Sequence, residues 1–121
     1  MIVAGFGFRG GATLAALRAA LREAQEGHPS VTAVAAPHDK LALVSALAKT
    51  LGLPVIAVSP GALQRTHTPT QSIASLAARR AGSVAEASAL AAAGPGARLL
   101  ATRHISPDRM ATCAIAKGLP A

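Results

Sequence analysis

Aromatic residues are nearly absent from this sequence: two Phe, no Tyr and no Trp in 121 residues. Proteins that hold single-stranded nucleic acid stack bases on several such rings, so nucleic acid is not the expected partner. The single cysteine, Cys113, excludes an internal disulfide, and nothing calls for an oxidising compartment. No stretch approaches about eighteen uncharged apolar residues free of Gly and Pro, and no basic segment precedes the apolar start Met1–Gly5. Neither a membrane span nor a signal peptide is expected, and the expected address is cytoplasmic. His28, His38, His67 and His104 are scattered, with no pair four residues apart and no cysteine at zinc spacing, so no metal site or cofactor is expected. Acidic residues are also scarce, 5 against 12 Lys and Arg, and the resulting charge of +7 creates a field that attracts anions.

What the chain does have is apolar bulk. Apolar residues make up 51% and charged ones 14%, enough for one globular domain spanning 1–121. Roughly a quarter of the chain is Ala, which favours helix and fills little core volume. Ile2 to Phe6 reads as a strand closed by glycines. Ala12 to Glu26 carries Leu14, Leu17 and Leu21 at helical spacing and stops at Gly27-His28-Pro29. Val31 to Ala35 is a second strand, Pro37 to Thr50 a second helix ending at Gly52, and Val55 to Val58 a third strand of the continuous apolar kind found between two helix layers. Ser59 to Gln71, with two prolines and three threonines, is expected to be a loop with little regular structure, either a lid or a plain connection. Two helical segments, Ser72 to Arg80 and Ser83 to Ala93, are broken at Gly82. Arg98 to His104 and Met110 to Lys117 then form an antiparallel hairpin across Ser106-Pro107-Asp108-Arg109. The expected fold is therefore α/β, a three-layer α/β/α single domain with a mixed, mainly parallel sheet of about five strands.

Several places could carry chemistry. Gly5-Phe6-Gly7-Phe8-Arg9-Gly10 reads as GxGxxG, whose glycines can bring backbone N–H groups and a helix N-terminus up to an anion. The same glycines would equally serve a tight strand-to-helix turn. A dinucleotide is disfavoured because Asp39 comes late, after Pro37, and because the chain is too short for a second mononucleotide half. Arg9 suits a carboxylate, which a guanidinium grips through two hydrogen bonds. Pro37-His38-Asp39-Lys40 falls on the same carboxyl edge of the sheet, where ligands of open α/β folds collect. His38 and Asp39 are candidate acid/base groups, or else a solvated helix start with Asp39 at the positive pole; Lys40 is a candidate anion contact. Glu86 either completes a capping box with Ser83 or points into a site. Cys113, in an apolar strand, reads as a buried inert thiol. Arg79 and Arg80 end a helix beside its negative pole or widen a basic rim.

Six segments recur in a familiar order from one end of the chain to the other: Gly5-x-Gly7-x-Arg9-Gly10 with Thr13; Lys40; Leu51-Gly52-Leu53-Pro54; Thr70-x-Ser72; Gly82-Ser83-Val84-Ala85-Glu86-Ala87 with Ala89-Leu90; and Thr112 with Ala114-Ile115-Ala116. Together they resemble the family of the cobalamin biosynthesis protein CobE and the C-terminal domain of CbiG, the cobalt-precorrin-5A hydrolase. The resemblance implies a three-layer α/β domain that works on precorrin or corrinoid tetrapyrroles, with other enzymes of the cobalamin pathway as further partners. These intermediates are polycarboxylates, which agrees with the charge of +7. Carried over by position, Gly5, Gly7, Arg9, Gly10, Thr13, Lys40, Thr70, Ser72 and Glu86 become the expected ligand-binding set. The chain lacks the added N-terminal sequence of the longer hydrolases, and no acidic residue follows in Lys40-Leu41-Ala42-Leu43, so hydrolase activity is not carried over. Two readings stand: an accessory binder of a precorrin, or a small enzyme that opens a lactone or rearranges the macrocycle with His38, Asp39 or Glu86. A nucleotide-binding α/β domain is a third.

Overall fold

A computed structural model describes residues 1–79 and 82–119. In chain order the elements are β1 (Ile2–Phe8), α1 (Leu14–Gln25), β2 (Ala33–Pro37), α2 (Leu41–Leu51), β3 (Val55–Val58), α3 (Pro60–Arg65), α4 (Ile73–Arg79), α5 (Val84–Ala93), β4 (Arg98–Ile105) and β5 (Ala111–Lys117). The strands form one sheet in the order β3-β2-β1-β5-β4. Parallel pairing joins β1 to β2 and β2 to β3, while β5 runs antiparallel to both β1 and β4. This is the expected mixed five-strand sheet, with the hairpin supplying the antiparallel half.

Alternation along β1 distributes its side chains between two helix layers. Ala4 and Phe6 face α1 and α2, packing with Leu17, Leu21, Val44 and Leu47. Val3 faces the other way, in a smaller cluster with Val58, Leu63 of α3 and Ala87 of α5. Gly5 lies on this second face, and a Cβ there would run into the backbone of α5 at Ala85 and Ala89. The first glycine of the GxG pair therefore admits a helix, whose own buried positions Ala85, Ala87, Ser88 and Ala89 are equally small. Helix and strand approach closely because neither carries bulk between them.

Side chains also mark where helices start. Thr13, Ser59 and Ser83 each accept a hydrogen bond from the backbone N–H three residues on, at 3.2, 3.2 and 3.3 Å. The segment 59–71 departs from expectation, because Pro60–Arg65 is helical, with Ser59 as cap and Pro in the first turn. Proline at that position lacks only an N–H that the helix would have left unpaired. The first strand also runs to Phe8 rather than ending at Phe6, which places Gly7 inside the strand and moves the turn to residues 9–13. Arg80, expected to end a helix or to widen a basic rim, lies outside the described residues.

Candidate basic cleft

Because β5 pairs antiparallel to β1 with Phe8 opposite Ala111, the turn of the β4–β5 hairpin lies at the carboxyl end of β1. Arg9 begins the chain's exit from β1, tied to the hairpin by its N–H on the Met110 carbonyl at 2.9 Å. Next to β1 the parallel strand β2 ends at Pro37, and a turn closed by Lys40 N–H on the Pro37 carbonyl, 2.9 Å, leads into α2. The carboxyl edge of the sheet and the hairpin turn thus face a common space.

That space is a cleft of about 500 Å³. Its apolar lining comes from Phe6, Phe8, Pro37, Val84, Ile105, Met110 and Ala111, and its hydroxyls from Ser72, Ser75 and Thr112. Gly7 is part of the floor; a Cβ on it would stand 3.0 Å from Thr112 Oγ1, so the glycine keeps this end of β1 thin. Among the described residues, the basic side chains Arg9, Lys40, Arg103 and Arg109 complete the lining, and none of the lining is acidic. The Lys40 ammonium sits 5.2 Å from the centre of the Phe8 ring, so the ring face steadies the cation without neutralising it. Apolar surface edged by cations suits a ligand with an apolar body and several negative charges.

The expected site residues divide into three groups. Gly7, Arg9, Lys40 and Ser72 line the cleft. Thr70 and Glu86 stand outside the lining and brace it: Glu86, fully buried in α5, accepts hydrogen bonds from Thr70 N–H (2.9 Å), Thr70 Oγ1 (2.7 Å) and the backbone N–H of Arg103 (2.8 Å). The capping box is therefore half formed, since Ser83 caps the Glu86 N–H while the carboxylate turns to a neighbouring loop and strand. The third group is placed elsewhere. Gly5 packs against α5, Thr13 caps α1, Gly10 is exposed in the turn, and His38 and Asp39 are exposed between β2 and α2.

Arg103, Arg109, Ser75 and Met110 line the cleft without having been singled out from the sequence. Their positions depend on the hairpin, whose turn is held by a local network. Ser106 Oγ donates to Asp108 Oδ1 at 2.6 Å and accepts from Ala111 N–H at 3.1 Å, and Met110 N–H donates to the same Asp108 oxygen at 3.0 Å. The Ser106 hydroxyl, and after it the Met110 N–H, hold the Asp108 carboxyl below its ordinary value. Cys113, buried in β5 opposite Phe6 of β1, has its thiol pushed far up by desolvation, which agrees with an inert core residue.

Residues 2–116 match the family model described as cobalamin synthesis G C-terminus. Among solved structures, the chain is similar to CobE, a protein from the cobalamin (vitamin B12) biosynthetic pathway, with 30% identity over 98% of this chain and 91% of that one and a TM-score of 0.87. It is similar also to the cobalamin biosynthesis protein chiG from Agrobacterium tumefaciens, 36% identical over 99% of this chain and all of that one, with a TM-score of 0.76. Comparison with curated protein sequences gives no match.

Proposed function

The chain belongs to the cobalamin synthesis G C-terminal family and so to cobalamin biosynthesis, and from that membership and the basic cleft we propose that it binds a polycarboxylate precorrin or corrinoid intermediate as an accessory binder. The observation that carries the reading is the lining itself: an apolar surface edged by Arg9, Lys40, Arg103 and Arg109 with no carboxylate among them. A corrin-type macrocycle offers the complement, an apolar ring bearing several carboxylates. Contact with the ring excludes water from the cleft, and the same exclusion strengthens each carboxylate–cation bond.

Binding is favoured over turnover by where the candidate acid/base groups sit. His38 and Asp39 are exposed and outside the described lining. Both Glu86 carboxylate oxygens are occupied by donors from Thr70 and Arg103, so this group braces the wall and does not face a reacting atom. In this reading Arg9 and Lys40 grip carboxylates, while Ser72 and Ser75 offer hydroxyls to those that remain.

The test is to mix the protein with hydrogenobyrinic acid, separate the mixture by gel filtration and follow the visible spectrum. Co-elution of a chemically unchanged chromophore is the expected result. A time-dependent spectral change would mean catalysis, and a chromophore that elutes alone would contradict binding.

A further inference from the structure

Arg109 is the one described residue other than glycine with a positive φ, 63°. Long L side chains seldom adopt this left-handed region, and glycine does so without cost, as Gly11 and Gly52 do elsewhere in this chain. The flanking residues leave Arg109 little freedom. Its N–H closes the turn on the Ser106 carbonyl at 2.8 Å, Ser106 N–H reaches the Ala111 carbonyl at 2.8 Å, and Asp108 holds the Ser106 hydroxyl and the Met110 N–H. A turn this fully hydrogen-bonded would accept glycine at its strained position, yet it carries an arginine that lines the cleft. Local strain maintained by its surroundings is a mark of a functional position.

Arg103 shows a parallel arrangement. The pairing register of β4 on β5 shifts between Ala101 and His104, which takes Arg103 out of regular pairing, and its N–H goes to Glu86 Oε2 instead. Each hairpin arginine thus sits on backbone pinned by a carboxylate, through Asp108 in one case and Glu86 in the other. Arg9 and Lys40 enter the same lining from the segments that follow β1 and β2, with Arg9 N–H on the Met110 carbonyl beside Arg109.

We infer that Arg103 and Arg109 form a second carboxylate-binding subsite, carried on the β4–β5 hairpin, so that the cleft selects ligands with more carboxylates than Arg9 and Lys40 alone can hold. The inference rests on the polycarboxylate reading of the cleft. A ligand with a single carboxylate would satisfy Arg9 or Lys40 and leave the hairpin pair unmatched.

The experiment compares hydrogenobyrinic acid affinity and thermal unfolding for the wild type, Arg109→Gly, Arg109→Ala, Arg109→Lys and Lys49→Ala. Lys49 lies on α2 outside the cleft lining, and its loss removes the same single charge. Arg109→Gly and Arg109→Ala are expected to weaken binding about tenfold, the size of a lost charge-assisted contact, and Arg109→Lys by less. Lys49→Ala should stay within about twofold, because exposed charges beyond a Debye length are screened. Arg109→Gly should also unfold several degrees above Arg109→Ala, since glycine alone relieves the strained φ. If the wild type binds and both truncations bind equally well, the subsite is wrong while the cleft reading stands. If Lys49→Ala weakens binding as much as Arg109→Ala, net charge rather than a subsite governs affinity, which also overturns it. Failure of the wild type to bind would remove the cleft reading and the subsite with it. Equal stability of the Gly and Ala variants would contradict the strained-turn argument.

Discussion

The Glu86 carboxylate, fully buried in α5, accepts the backbone N–H of Arg103 at 2.8 Å and so joins the second helix layer to an irregular stretch of β4. The same side chain holds the N–H and hydroxyl of Thr70, two residues before the cleft-lining Ser72. One carboxylate therefore fixes two walls of the cleft. Glu86→Gln keeps the shape but puts an amide donor where acceptors are needed, leaving at least one buried N–H or hydroxyl unsatisfied. The expected loss is about 2–3 kcal/mol in urea unfolding, with weaker ligand binding in the protein that remains folded. Unchanged stability would show that water replaces the lost bonds.

Gly5 is expected to matter for stability. A methyl group at this position meets the backbone of Ala85 and Ala89, which cannot move aside as a side chain can. Gly5→Ala should destabilise by about 3 kcal/mol, read by chemical denaturation, whereas Gly7→Ala, facing the Thr112 hydroxyl at 3.0 Å, should cost less. Equal effects at the two sites would contradict the close approach of α5 at Gly5.

The order of strands and helices was legible in the sequence because hydrophobic period and breakers agree: Leu14, Leu17 and Leu21 for α1, and the continuous run Val55–Val58 for β3. Helix α3 was hidden by the Pro and Thr content around it, although Ser59-Pro60 is a helix-start signature. GxGxxG suggested an anion-binding or plain strand-to-helix turn, but Gly5 and Gly7 lie within a strand, two residues apart on the face that meets α5. No local pattern announces that a helix about eighty residues later needs the room. Of the site, Arg9 and Lys40 were legible because they follow strand ends on the carboxyl edge of the sheet, and Ser72 through the family resemblance. Arg103 and Arg109 were not, since their positions depend on the β4–β5 register shift and on the left-handed turn, both consequences of tertiary pairing.

Cys113 is fully buried with its thiol proton strongly held. It should resist iodoacetamide in the native protein and react fully after denaturation, as mass spectrometry would show. Rapid native labelling would mean that β5 opens readily.

Acid should loosen the hairpin turn through Asp108. Its carboxyl is held below the unfolded value of 3.8, so its contribution is present above that value and is lost as pH falls through the lower folded one. Thermal unfolding followed from about pH 6 to about pH 2 should fall less steeply for Asp108→Asn than for the wild type. Identical acid limbs would show that this turn does not contribute to the pH dependence.

The central claim is that four cations around an apolar cleft recognise the carboxylates of a macrocycle. Its most direct test is a calorimetric titration of the protein with hydrogenobyrinic acid and, in parallel, with the same macrocycle after its carboxylates are converted to amides. The account predicts binding of the acid that weakens as salt is raised and at least about a tenfold loss for the amide form. Equal affinity for the two forms would mean that the apolar ring alone is recognised and that Arg9, Lys40, Arg103 and Arg109 play no part in holding it.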